Sequence, residues 1–156
     1  SDDRHPLGSG ERAIRAEEEA APMKRETERL LLQGATALAC LVPLSMGSLS
    51  VLRSADVLKG VSPPLPIDLD SHFRYLSGLL LGIGLVFLVS IPRIETKETV
   101  FRTLGAIIMV GGLARLLSLL QAGVPGPGHQ FGLIMEVLVV PLIVLWQGRI
   151  ARLYRR

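Results

Sequence analysis

Four long apolar runs dominate this sequence and leave few folds open to it. The first run, of about 23 residues, would extend about 35 Å as an α-helix, enough to cross a ~30 Å hydrocarbon core with some tilt. Lipid offers no hydrogen-bond partners to the backbone, so each run must be helical to cross. We therefore predict an all-α integral membrane protein, a bundle of four transmembrane helices. The predicted spans cover residues 30–52, 73–91, 100–121 and 131–147.

Charged residues lie mainly between these runs. Residues 1–29 form a polar N-terminal segment whose opening resembles a tag or linker, and residues 148–156 form a basic tail. These two segments and the short connection before residue 100 carry most of the Lys and Arg residues. Cytoplasmic loops are usually enriched in Lys and Arg, so we predict that both termini are cytoplasmic.

Other classes of function find little support in the composition. A net charge of +3 could indicate a nucleic-acid partner, but no basic face or aromatic platform accompanies it, and we predict none. The single cysteine, Cys40, cannot form an intrachain disulfide. Asp68, Asp70 and His72 lack a second His or Cys at ligand spacing. We predict no metal and no cofactor there, and instead a helix start capped by Asp70 or Ser71.

Two charged residues interrupt the later runs. Arg115 lies six residues before the end of the third run, ~9 Å below its end, and Glu136 lies five residues into the fourth, ~7.5 Å from the same side. Consecutive spans joined by a short loop are antiparallel neighbours, so the two charges reach matching depth. A charge near the centre of a membrane helix costs roughly 2.5–3.5 kcal/mol on insertion scales, and pairing relieves this cost. We predict an ion pair between them.

Three polar residues enter from the same side at the start of the second run. With the predicted pair, they form a polar pocket in the outer half of the membrane, in which two arginines face one carboxylate. We interpret this pocket as a binding site for a small amphipathic or anionic ligand, such as a lipid, quinone or fatty acid. The candidate ligand-binding residues are Arg115, Glu136, Arg74, Tyr75 and His72.

Alternatives to ligand binding stay open. The ion pair could serve only to fasten two helices, or Glu136 could act as the acid or base of a membrane enzyme, although no catalytic residue is assigned. A proton or ion pathway is disfavoured because only Gln147 continues the stripe of Glu136, Val140 and Ile143. Gly78 and Gly82 permit close helix approach. We predict that they serve helix packing, with a homo-oligomer or a protein partner as the alternative.

Several stretches together resemble a known family. They are the segment from His72 to Gly84, the sequence Val-Gly-Gly-Leu-Ala-Arg-Leu-Leu-Ser at 110–118, Arg102, Glu136 and the Trp-Gln pair at 146–147. Over roughly residues 30–151 the chain is similar to the bacterial membrane proteins grouped as domain of unknown function 4345. The resemblance implies a four-helix protein of the bacterial inner membrane, broadly DoxX-like in plan, and implies no activity. DoxX-like proteins are linked to quinone or thiol chemistry, but this chain has no paired cysteines or evident cofactor ligands.

Overall fold

The computed structural model describes residues 9–58 and 60–155. This part of the chain contains helices and no strand, which confirms the all-α prediction. A π-helix, Met135–Val139, joins the last two α-helices, and 3-10 helices Ser54–Val57 and Ile91–Thr96 follow the first two. The α-helices are α1 (Ser9–Arg53), α2 (Ile67–Ser90), α3 (Glu98–Ala122), α4 (Pro127–Ile134) and α5 (Val140–Tyr154).

In the described part of the chain, four continuous helices are long and apolar enough to cross a membrane. In the most apolar window of each, only 11–22% of the residues are buried inside the protein. Most large apolar side chains therefore point outward, as lipid-facing helices require. The predicted runs lie within these helices, which extend past them at both ends. The helices cover Pro22–Val57, Ile67–Thr96, Glu98–Ala122 and Pro127–Tyr154.

The second helix begins earlier than the capping pattern predicts. It starts at Ile67, directly after Pro66, and no side chain caps it. The predicted cap at Asp70 or Ser71 is wrong because Pro66 occupies the capping position and its carbonyl accepts the Asp70 N–H at 3.0 Å. A proline fixes φ near its helical value and has no N–H to satisfy, so it suits a helix start.

The four long helices form two hairpins, and glycines set the spacing in the first. α1 packs along α2 over much of its length. A Cβ added to Gly47 would lie 3.0 Å from Leu81 Cα, and one added to Gly84 would lie 3.0 Å from Pro43 Cβ. The helices therefore approach more closely than larger residues allow.

The packing prediction for Gly78 and Gly82 is wrong within this chain. No described atom lies within 4 Å of a Cβ added to either residue. Of the three α2 glycines, only Gly84 faces α1. The spacing of Gly78 and Gly82 places them on one face of α2, but it does not determine which helix packs against that face.

The second hairpin, α3 against α4 and α5, also depends on two glycines. A Cβ added to Gly105 would lie 2.6 Å from Val144 Cγ2. One added to Gly112 would lie 2.8 Å from Val137 Cγ2 and 2.9 Å from Glu136 Cβ. The two glycines are seven residues apart, so they lie on one face of α3 two turns from each other.

The hairpins are joined mainly at one end, which we call the turn end because it carries the Ile91–Thr96 helix and Tyr154. Phe87 and Phe101 meet there edge to face, with ring centroids 5.0 Å apart. α2 and α3 have few other contacts. The loop end, opposite, carries the connections at 54–66 and 123–126. The core includes the buried residues Leu32, Cys40, Phe87, Ile94, Phe101, Ile143 and Ile150.

Two glutamine side chains satisfy backbone carbonyls of the turn between α2 and α3. Gln33 Nε2 donates to the Ile91 carbonyl at 2.9 Å, and Gln147 Nε2 donates to the Ile94 carbonyl at 2.8 Å. Arg93 has non-helical φ and ψ of −123° and 44°, which interrupts the regular hydrogen bonding of the turn. Gln147 and Ile94 are both fully buried, so this amide replaces the water that would otherwise solvate the carbonyl.

Replacing Gln147 by leucine is expected to lower the free energy of unfolding by about 1–3 kcal/mol, because a buried acceptor loses its donor. The measurement is an SDS titration of the purified protein in mixed micelles. Gln130→Leu is the control, since its Nε2 bond of 2.8 Å to the Pro125 carbonyl is exposed. Equal effects of the two changes would contradict this assignment.

Candidate functional site

The predicted contact between Arg115 and Glu136 is present. Arg115 Nε donates to Glu136 Oε2 at 2.9 Å, and Arg115 Nη2 donates to Glu136 Oε1 at 3.0 Å. The two parallel bonds form a bidentate pair, the strongest common arrangement of these groups. The pair joins α3 to the π-helix between α4 and α5.

Small residues bring the two side chains together. Gly112 lies one turn before Arg115, and its missing Cβ lets α3 approach the backbone of the π-helix. Gly132 faces the guanidinium itself, since an added Cβ would lie 3.7 Å from Arg115 Cζ. The long arginine side chain therefore lies across a flat glycine surface and reaches the carboxylate one turn further on.

Glu136 lies in the π-helix that interrupts the last long helix. The wider turn of the π-helix adds about one residue before α5 and rotates the segments relative to each other. Pro141, at the second position of α5, has no N–H to donate to the preceding turn, which favours such an irregularity. Glu136 contacts Gly112 of α3, and Ile143 and Gln147, which share its predicted stripe, are buried in the core.

One edge of the Arg115 guanidinium stays open. The Arg115 side chain retains 34% of its accessible surface and the Glu136 side chain 19%. Among the described residues, no group accepts a hydrogen bond from Arg115 Nη1. Both carboxylate oxygens are engaged, whereas the guanidinium keeps donors available for a further acceptor.

Arg74 does not pair with Glu136; its hydrogen-bond partners are Asp70 and two carbonyls of α1. Its Nε and Nη2 donate to Asp70 at 2.9 and 3.2 Å. Its Nη1 donates to the carbonyls of Val51 and Leu52 at 2.6 and 3.1 Å. Arg74 thus serves the last turn of α1, whose carbonyls have no donor within the helix. The pairing of Arg74 with Asp70 could have been predicted from the sequence, since Asp70 lies one helical turn before Arg74.

His72 and Tyr75 are not among the hydrogen-bond partners of the ion pair in the described residues. Both are on the exposed part of α2 near its start, and Tyr75 retains 63% of its accessible surface. No hydrogen bond within the described part of the chain joins either residue to Arg115 or Glu136. A shallow cavity of about 300 Å³ lies near them, lined by Asp56, Pro63, Leu65, Ile67 and Asp70.

A second polar cluster, which the sequence interpretation missed, closes the turn end. The carboxylate of Glu98 pairs with Arg102 and Arg155. Its partners lie on α3 and α5, so it ties the start of one helix to the end of the other. Two sequence features could have predicted this cluster. Glu98 and Arg102 are four residues apart on one helix, and the acids near Glu98 and the basic tail are predicted on the same side of the membrane.

Two further contacts tie α5 to α1 at the same end. Arg149 Nη2 donates to Glu28 Oε1 at 3.1 Å, and the Tyr154 hydroxyl donates to Glu26 Oε2 at 3.1 Å. The basic tail is therefore largely a continuation of α5 that packs on α1. The sequence interpretation used these residues only to orient the helices.

The described residues contain no group of three or more His, Cys, Asp or Glu side chains placed to hold a metal ion. Cys40 is buried and free. The candidate site in the apolar part of α3 and the last helix is therefore the bidentate Arg115–Glu136 pair, with the open edge of its guanidinium.

Fold and site together define a small all-α protein with the four apolar helices of a multi-pass membrane protein. In the described residues, a bidentate ion pair joins the apolar parts of the third and fourth of these helices. The chain belongs to the family described as Domain of unknown function (DUF4345), whose model matches residues 31–147. This confirms the family predicted from the sequence. No curated protein and no solved structure matches the chain significantly.

Proposed function

We propose that this protein spans the bacterial inner membrane four times, with both termini in the cytoplasm, and binds the head group of a small amphipathic ligand at Arg115. The observation that carries the proposal is the open Nη1 edge of a guanidinium whose other edge is fixed by Glu136. In an otherwise apolar segment, such donors favour an acceptor that arrives with its own apolar tail.

The net charge of the site distinguishes between ionised and neutral ligand head groups. Arg74 has its own carboxylate in Asp70, so the site at Arg115 consists of one cation and one anion. A fully ionised head group would add an uncompensated negative charge in a medium of low dielectric constant. A carbonyl oxygen adds none. Among lipid-like, quinone-like and fatty-acid-like ligands, the pair therefore favours a quinone or a lipid ester carbonyl.

The proposal is tested with Arg115→Lys and a quinone carrying a decyl tail as the probe. Lysine keeps the positive charge beside Glu136 but lacks the second edge of the guanidinium. We expect the quinone to raise the thermal unfolding midpoint of the wild-type protein in detergent, and to bind Arg115→Lys about 10-fold more weakly for one or two lost hydrogen bonds.

Arg74→Lys is the matched control, because Arg74 also has a carboxylate partner but lies outside the site. It is expected to respond to the quinone like the wild-type protein. The same binding by wild type and Arg115→Lys would refute a site at the open guanidinium edge. A phosphatidylcholine titration of the same variants shows whether an ester carbonyl replaces the quinone.

A structural function is the second candidate, favoured by the bidentate geometry and the close approach at Gly112. In this case the ion pair only fixes α3 against the last helix. A membrane enzyme using Glu136 is less well supported, since Arg115 engages both carboxylate oxygens.

A further inference from the structure

Four cations lie near the start of α3 and the end of α5, and two of them pair with the Glu98 carboxylate. The basic cluster consists of Lys97, Glu98, Arg102, Arg152 and Arg155. Arg155 Nη2 donates to Glu98 Oε2 at 2.7 Å, and Arg102 Nη2 contacts the other carboxylate oxygen. Lys97 directly precedes Glu98 in the chain, and Arg152 lies one turn before Arg155 on the same face of α5.

The charges of the basic cluster do not balance. Neither Lys97 nor Arg152 has a carboxylate partner among the described side chains. Glu98 is the only acid in the cluster, so the cluster carries a charge of +3 (four cations minus one anion). Arg102 and Arg155 share one carboxylate and repel each other, and a bound anion would relieve that repulsion.

The geometry presents the positive groups outward. The Glu98 side chain retains only 10% of its accessible surface, whereas Arg102 retains 62% and Arg155 70%. The carboxylate thus lies beneath the two guanidinium groups and fixes one edge of each. Both arginine side chains are largely exposed, so their remaining donors are accessible to the oxygens of a phosphate.

Apolar surface borders the basic cluster on α5. Leu145, two turns before Arg152 on the same face of the helix, retains 70% of its accessible surface. An anion bound at the cluster would therefore have a water-exposed side and an apolar side. A phospholipid has this combination, with a phosphate attached to acyl chains, whereas a nucleic acid would leave the apolar surface uncovered.

We propose that the basic cluster binds the phosphate of an anionic phospholipid at the membrane surface. The proposal shares with the proposed function only the insertion of the helices in a membrane, and it does not depend on a ligand at Arg115. Basic clusters next to membrane helices commonly recognise anionic lipids in this way.

The test titrates the purified full chain in detergent with phosphatidylglycerol, phosphatidylcholine or inorganic phosphate and follows the thermal unfolding midpoint. Phosphatidylglycerol is expected to raise the midpoint more than phosphatidylcholine, with a smaller rise at high salt. The double change Lys97→Gln and Arg152→Gln leaves both Glu98 ion pairs in place and is expected to weaken the phosphatidylglycerol response about 30-fold in concentration.

Arg53→Gln is the control, an exposed arginine at the loop end without an ion pair among the described residues. It should respond like the wild-type protein. An equal response to both lipids, or an unchanged response of the double variant, would overturn the proposal, and so would an equal rise with inorganic phosphate alone. A response lost in Arg115→Lys but kept in the double variant would place the lipid at the ion pair instead, which separates this proposal from the proposed function.

Discussion

Replacing either Arg115 or Glu136 alone by leucine is expected to lower the free energy of unfolding by about 3 kcal/mol, because each change leaves an unpaired charge in an apolar segment. The double replacement is expected to cost much less, since two apolar side chains can fill the same space between the helices. The measurement is an SDS titration in mixed micelles for the wild-type protein and all three variants, evaluated as a double-mutant cycle.

The cycle also distinguishes the two candidate functions. A double variant that is stable but no longer binds the decyl-tailed quinone supports a binding site at Arg115. A stable double variant that binds the quinone as the wild-type protein does would leave the ion pair with a structural function only. The prediction assumes that each single change destabilises the protein only because it leaves the other charge unpaired. A double variant as unstable as the single variants would contradict that assumption.

Replacing Gly112 by alanine is expected to lower the free energy of unfolding by about 1–3 kcal/mol, because the core contact becomes overpacked. The new Cβ would lie 2.8 Å from Val137 Cγ2 and 2.9 Å from Glu136 Cβ. Glu136 Cβ is attached directly to the backbone, so the last helix must shift to make room. That shift would also lengthen the bonds between Glu136 and Arg115.

Gly111→Ala is the matched control for this prediction. It lies next to Gly112 on α3, but no described atom lies within 4 Å of an added Cβ. Alanine favours a helix over glycine by up to about 1 kcal/mol, so a neutral or slightly stabilising effect is expected. SDS titration measures both variants, and an equal loss of stability in the two would show that α3 does not pack through Gly112.

The ion pair could be predicted because its determinants are local. The depth of Arg115 and Glu136 follows from counting residues to the ends of their apolar runs, and the short loop between the runs makes the helices neighbours. Counting residues along the apolar run did not predict the partners of Arg74. It lies at the start of its run, where Asp70 on its own helix and the open carbonyls of α1 offer nearer partners.

The helix faces were harder to predict than the helices. The glycines that pack, Gly84 and Gly112, do not differ in type from Gly78 and Gly111, which face open space. The π-helix at Met135–Val139 interrupts the last helix at Glu136, and regular helical spacing does not anticipate such a turn.

By itself, the sequence determined the family, the four apolar helices and the need of Arg115 for a carboxylate, because these follow from residue type, spacing and the cost of a charge in lipid. Only the tertiary structure decided which glycines touch, that Arg74 serves α1, and that Glu98 holds the ends of α3 and α5 together. Those outcomes depend on how one helix is rotated against another, and that rotation is set by packing across the interface.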